Sequence, residues 1–507
     1  MIILAIVKEH KRLGRVLPCA LVMLTLAVPV RAQEQALAEK AHHAKELIAA
    51  GRPAEAISIY RELVRAMPGN PGLIMNLGLA LDMSGDKRAA IRQYQAVLKL
   101  DPESFPALLL LGTAYLDVGQ PSLATAPLEK AVKLQPANFD AQVNLAEADM
   151  AMEHFAAAAS RFEKLSQQDP SSPKVWYGLG TCYDALAQTS FDELAEVAPG
   201  SAYWLYLVAE SRLTTKQTYS AFYFYKQALA KPPSLRGVHA ALAEIYRATD
   251  HADWAAVEEA KEKELPPPDC ATEKLECEYM AKNYLAITSD AGKDAAALYW
   301  KTRAYNQLAL GAYGQLGRLP PSVEAHELRA KIESKRRQYA QAAKEWRAAL
   351  DLAPANPYVK RELAMALAQS GSLDEAQALF QELLARDPGS ASLNYFLGDV
   401  LRNAQKPREA IPYLLKARAA DPNFLAVRKS LGLAYMQTGE TEKAIPELKA
   451  ALPLDEDGSV HYQLGRAYQV HGDRELAREM LKAYQEMQSK NQEGNKAVEK
   501  EVAITPP

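Results

Sequence analysis

The chain has 507 residues, 49% hydrophobic and 24% charged, fractions that exclude wholesale disorder and collagen-like structure. Lysine plus arginine number 59 against 62 acidic residues, so the formal charge of −3 leaves no basic excess to neutralise a nucleic-acid backbone. Four cysteines in this length exclude a disulfide-built scaffold.

Residues 1–32 read as an export signal. Lys8, Lys11, Arg12 and Arg15 form a positive region, Val16 to Val28 is apolar, and Val30-Arg31-Ala32 puts small residues at the cleavage positions before Gln33. That apolar stretch spans about 20 Å as a helix, short of a hydrocarbon core of about 30 Å. Cleavage is therefore expected, with a periplasmic or secreted mature chain and no stable membrane insertion. An uncleaved, membrane-anchored chain is the alternative.

A 34-residue period follows. Pro68, Pro102, Pro136 and Pro170 keep it, as do Gly51, Gly85 and Gly119, and Ala56, Ala90, Ala124 and Ala158. It returns with Pro354, Pro388 and Pro422 and with Ala342, Ala376, Ala410 and Ala444. Residues 105–138 give the period its physical content. Leu108, Leu111, Gly112 and Tyr115 form one face of a first helix. Gly119 ends that helix, because glycine accepts the left-handed conformation cheaply. Ala124, Leu128 and Ala131 mark the buried face of a second helix, which Pro136 stops. Gly112 and Ala124 are small where two helix backbones meet. Such a pair cannot bury its apolar face alone and needs the next pair stacked on it.

These positions resemble the tetratricopeptide repeat family. Residues 71–104 carry its pattern with Leu77, Gly78, Leu81, Gly85, Ala90, Tyr94 and Pro102; residues 357–390 carry it with Leu363, Ala364, Leu367, Gly371, Ala376, Phe380 and Pro388. The resemblance implies an all-α, right-handed superhelical solenoid of antiparallel helix pairs. The frames predict an N-terminal array over 33–268 with about seven units, an irregular helical stretch at 269–322, and a C-terminal array of about five units over 323–491. The fifth frame, 173–200, reads as a short pair whose second helix ends by Pro199, and the sixth and seventh are degenerate. The stretch 269–322 is either an aberrant pair with a longer second helix that continues the stack or a hinge between two halves. Residues 492–507 are polar and aperiodic, which predicts a disordered tail.

No HExxH, GxSxG, phosphate-cradling GxxxxGK[ST] or strand-following GxGxxG is present, so no catalytic, cofactor or metal site is expected. His42-His43 are neighbours that point apart on a helix, and His461 and His471 read as structural or surface groups. Cys270 and Cys277 are seven apart, too far to bridge on one continuous helix, but within reach if Cys270 lies in the loop before it; a disulfide and a reduced pair both stay open. Residues 176–225 are dense in aromatics, read either as core filling or as a groove lined for an extended peptide.

The resemblance also implies protein or peptide binding along the concave face, lined by first-helix positions. Carried onto this chain, that face includes Met75, Leu79, Met83, Leu109, Leu116, Val143, Glu147 and Met150 in the first array. In the second it includes Arg361, Met365, Tyr395, Asp399, Arg402, Lys429, Met436, Tyr462 and Arg466. The first set is apolar and methionine-rich, suited to adaptable packing; the second is charged and aromatic. The family's carboxylate clamp is not reproduced, since Met75 and Val143 precede Asn76 and Asn144. The expectation is a non-enzymatic scaffold that captures extended protein segments in assembly or secretion at a bacterial envelope. An accessory subunit of an envelope enzyme or of a polysaccharide or pilus export machine is the alternative, and an enzyme with chemistry in 269–322 a weaker one.

Overall fold

The computed structural model describes residues 35–501 and 504–507; the export signal expected at 1–32 lies outside them. Regular structure among the described residues is helical, with no strand. The chain divides into two compact units between Met152 and Glu153.

The first unit holds α1 (35–49), α2 (Pro53–Ala66), α3 (Pro71–Met83), α4 (Lys87–Leu100), α5 (Phe105–Asp117), α6 (Pro121–Leu134) and α7 (Phe139–Ala151). Several boundaries have a chemical reason that recurs along the chain. Asn70 caps α3 by accepting from the backbone N–H of Gly72 and Leu73, and Asn138 caps α7 by accepting from Ala141. Pro71 follows its cap at the first helical turn, where no N–H is needed. The loop between paired helices passes through one left-handed residue, glycine at Gly51, Gly85 and Gly119. Across each pair a small residue meets a large one sixteen positions later. A β-carbon on Gly78 would lie 2.7 Å from the Tyr94 ring, and one on Gly112 would lie 2.4 Å from Leu128 Cγ. The core is a row of such contacts, with Tyr60, Leu77, Tyr94, Leu111 and Leu128 buried.

The second unit opens with α8 (Phe155–Gln168) and α9 (Pro173–Val197). Here the structure departs from the predicted short pair at 173–200: α9 is one continuous helix of 25 residues. Its partner comes much later. After α10 (Ala202–Thr214), α11 (Thr218–Leu229), α12 (Val238–Ala248), α13 (Ala252–Glu264), α14 (Lys274–Met280) and α15 (Tyr284–Thr288), the 22-residue α16 (Ala295–Leu316) packs antiparallel along α9, the most extensive helix–helix contact among the described residues. Gly180 occupies the small position of the repeat, and a β-carbon there would lie 2.4 Å from the Tyr313 ring. Tyr313 thus fills the place that a residue sixteen positions on fills elsewhere, and its hydroxyl donates to Asp184 Oδ2 at 2.8 Å. Residues 198–294 are therefore a helical branch inserted between the two helices of one repeat. Within it, α10 pairs with α11 and α12 with α13, while α14 and α15 turn back onto α16.

The regular period resumes with α17 (Val323–Lys335), α18 (Tyr339–Leu352), α19 (Pro357–Gln369), α20 (Leu373–Arg386), α21 (Ala391–Asn403), α22 (Pro407–Ala420), α23 (Leu425–Thr438), α24 (Thr441–Ala451), α25 (Ser459–His471) and α26 (Arg474–Glu501). These pack as consecutive pairs on a continuous core that includes Trp346, Leu363, Phe380, Leu397, Leu414, Leu431 and Leu464. A buried carboxylate locks this array to the split repeat: Glu327 Oε1 accepts from the Tyr177 and Tyr358 hydroxyls, each at 2.7 Å. Burial and that carboxylate push both tyrosines well above their usual titration range. Helix α26 runs through the first ten residues of the stretch read as a tail, a segment rich in the helix formers Lys, Gln, Glu and Ala.

Candidate protein-binding faces

In the first unit the expected face lies on α3, α5 and α7. Met83 is exposed, while Met75, Leu79, Leu109, Leu116, Glu147 and Met150 are half-buried. Val143 is buried at 4% exposure, so it adds to packing rather than to a surface. Asn144 Nδ2 donates to Thr113 Oγ1 at 2.7 Å, which ties α7 to α5 and engages one of the two asparagines, Asn76 and Asn144, that stand at the clamp position.

In the second unit the expected residues fall on four successive first helices, α19, α21, α23 and α25. The structure brings several of them together. Tyr395 packs its ring on Phe424 at 4.9 Å. Asp399 Oδ1 accepts from Arg402 at 2.7 Å and from the Ser430 hydroxyl at 2.7 Å, joining α21 to α23. Lys429 donates to Ser459 Oγ at 3.0 Å, joining α23 to α25. Arg361 donates to Glu362 at 2.7 Å and lies over the Tyr358 ring. Three of the four cations on this face are thus held by neighbours in the chain. Arg466 sits over the Tyr462 ring at 5.9 Å, and both side chains are exposed. Met365 and Met436 are half-buried, packed against the core of this array. The result is a surface of rings, thioethers and internally braced charges, whose chemistry suits packing against an extended chain more than point-charge capture.

The aromatic stretch 176–225 serves mainly as core. Tyr206 stacks edge-on against Tyr225 and Tyr299, both at 5.5 Å, and Phe191, Trp204 and Phe224 form a second chain of rings. Tyr219 is the exposed exception at 58%. The sequence reading missed the group at the centre of this cluster. Arg303 on α16 lies over the rings of Tyr279, Tyr206, Trp300 and Tyr299 at 4.5–5.4 Å and donates to the Tyr299 hydroxyl at 2.9 Å. Burial pushes the neighbouring Glu210 carboxyl upward, and Arg303 opposes that shift. Tyr299 and Trp300 stand four and three positions before Arg303, so a cation on an aromatic helix face was legible; the rings from α10 and α14 were not. This cage fastens the branch to α16.

Cys270 and Cys277 are bonded, with Cα atoms 5.7 Å apart; Cys270 lies in the turn before α14. Acidic side chains pair with three of the histidines. Glu258 bonds His239, Glu345 bonds His326 at 2.8 Å, and Asp455 bonds His461 at 2.6 Å. Among the described residues no group of three or more His, Cys, Asp or Glu side chains could hold a metal, and no helix is long and apolar enough to cross a membrane.

One tetratricopeptide repeat model matches residues 335–399, and a second matches 43–105, 75–139, 143–186 and 395–459; together they cover more than half of the chain. No curated protein matches it. Similar solved structures include MamA from residue 41 onward from Desulfovibrio magneticus RS-1, at 24% identity over 33% of this chain and 96% of that one, with a TM-score of 0.31. MamA AMB-1 is 27% identical over 32% of this chain and 98% of its own, with a TM-score of 0.29. YrrB, described as a TPR protein with an unusual peptide-binding site, is 24% identical over 32% and 83%, with a TM-score of 0.27.

Proposed function

Because the chain belongs to the tetratricopeptide repeat family, we propose that it is a non-enzymatic scaffold that captures extended protein segments along the first-helix faces of its repeats, after export to the cell envelope. The observation that carries this reading is the row of partly exposed rings, thioethers and cations on α19, α21, α23 and α25, the last three helices braced to one another by the Asp399–Ser430 and Lys429–Ser459 bonds. A braced row binds without first paying to order its own side chains, and one extended partner touches several repeats at once. The positive, apolar and small-residue order of 1–32 supports the export step.

The test is site-specific photocrosslinking in intact cells, with the probe placed singly at Met365, Tyr395, Met436 and Tyr462. One partner is expected from all four positions and in the envelope fraction. Probes on the second helices, at Gln377 and Lys449, are the controls. Adducts at the controls but not at the four face positions would move the site elsewhere, and adducts confined to the cytosol would remove the envelope role.

A further inference from the structure

The last residues of the chain do not end at α26. Ile504 is half-buried against the core cluster of the inserted branch, the cluster that contains Phe222, Leu242, Tyr246 and Ala255. The Tyr246 hydroxyl donates to the backbone carbonyl of Thr505 at 2.6 Å, a contact between residues 259 positions apart. Tyr246 is fully buried, with Phe222 and Trp254 edge-on at 5.6 Å each.

The placement has a physical logic. The equivalent tyrosine of α9 donates backward to an acid twenty positions earlier, Tyr183 to Glu163 Oε1 at 2.7 Å, whereas Tyr115 of α5 accepts from Gln95 at the same spacing and distance. Twenty positions before Tyr246 stands Lys226, which offers no acceptor. The pair α12–α13 is also the end of the branch, because α14 and α15 return to α16 instead of stacking on it. A repeat end with no successor presents apolar surface, and Val257 on α13 is exposed at 45%. Helix α26, with 28 residues, carries the chain about 42 Å from its start. Its end delivers an aliphatic side chain and a carbonyl acceptor to that surface.

We infer that the free end of the inserted branch, around Tyr246, is a docking site for an extended aliphatic-Thr-Pro-Pro segment, and that this chain's own C-terminus, Ile504–Pro507, is its resident occupant. Prolines after the anchor hold the segment extended and lower the ordering cost of docking. The tether supplies a local tail concentration in the millimolar range, so weak intrinsic affinity suffices. The contact lies within the chain and stands whatever the repeats capture.

The test compares amide hydrogen exchange across Val238–Glu264 in the full chain, in a chain truncated after Glu501, and in Ile504→Asp. Exchange in α12 and α13 is expected to rise at least fivefold in both variants and to fall back when a millimolar synthetic peptide of residues 502–507 is added to the truncated chain. Tyr246→Phe, which removes one hydrogen bond and keeps the ring, is expected to show a smaller rise. Protection in the full chain should be independent of protein concentration. Protection that grows with concentration would assign the tail to a second copy and overturn docking in cis. Unchanged exchange in both the truncated chain and Ile504→Asp would overturn the site itself.

Discussion

The left-handed position in the loop between paired helices shows how one residue's backbone preference is traded against the rest of the chain. Glycine holds it at Gly85, Gly119 and Gly371, but Glu153, Arg337 and Gln405 occupy it with φ near +60°. A side chain there costs about 1–2 kcal/mol, part of which a glycine would give back as entropy in the unfolded chain. Arg337→Gly is therefore expected to stabilise by about 0.5–1 kcal/mol. Gly112→Ala is expected to destabilise by about 1–3 kcal/mol, because its new methyl group would overlap Leu128. Chemical denaturation of the two variants reads both signs. Two acids paired with histidines, buried Glu258 and half-buried Glu345, set a pH dependence. Burial alone would raise Glu258 and Glu345, but His239 with Lys261, and His326 with Arg329, outweigh it and hold both carboxyls below their usual range. A depressed folded value contributes stability above the unfolded carboxyl pKa, about 4.3, and loses it as pH falls through the folded value. Melting temperatures should fall on acidification below about pH 4.5, and Glu258→Gln with Glu345→Gln should flatten that limb while lowering the plateau at neutral pH.

At the scale of helices, the ordinary repeats were legible in the sequence because everything that defines them sits within one period: cap, apolar stripe, left-handed turn, and a small residue facing a large one sixteen positions on. Residues 173–200 looked like one more unit for the same reason. Trp176, Leu179, Gly180 and Tyr183 carry a first-helix pattern, and α9 is that helix. What periodicity could not reveal is that the group facing Gly180 is Tyr313, 133 positions later, since no local signal ties the two. The branch should then be dispensable to the stack it interrupts. Replacing residues 199–293 by a short glycine-rich turn joins the end of α9 to the start of α16. The shortened chain is expected to keep the α9–α16 and α17–α26 packing, seen as an unchanged helical signal per residue and a cooperative melt. Loss of the melt would mean that the branch, through Arg303 and its rings, holds α16 in place. The groove was less legible than the fold. The sequence set the residues in a row, but whether a cation there meets solvent or a neighbour, as Arg402 meets Asp399 and Lys429 meets Ser459, depends on the adjoining helices.

For the whole molecule, stability is assembled from neighbours, and each pair leans on the next. The split repeat breaks that rule at one place, with a consequence for biosynthesis. Helix α9 leaves the ribosome with an apolar face whose partner begins almost a hundred residues later. At about 5–20 residues per second, that face waits roughly 5–20 s for α16. The two hairpins α10–α11 and α12–α13 have local partners and can form in the interval, while α9 stays adhesive. Nascent chains stalled between Val197 and Asp294 should accordingly recruit ribosome-associated chaperones more strongly than chains stalled just beyond Leu316, when the embrace is complete.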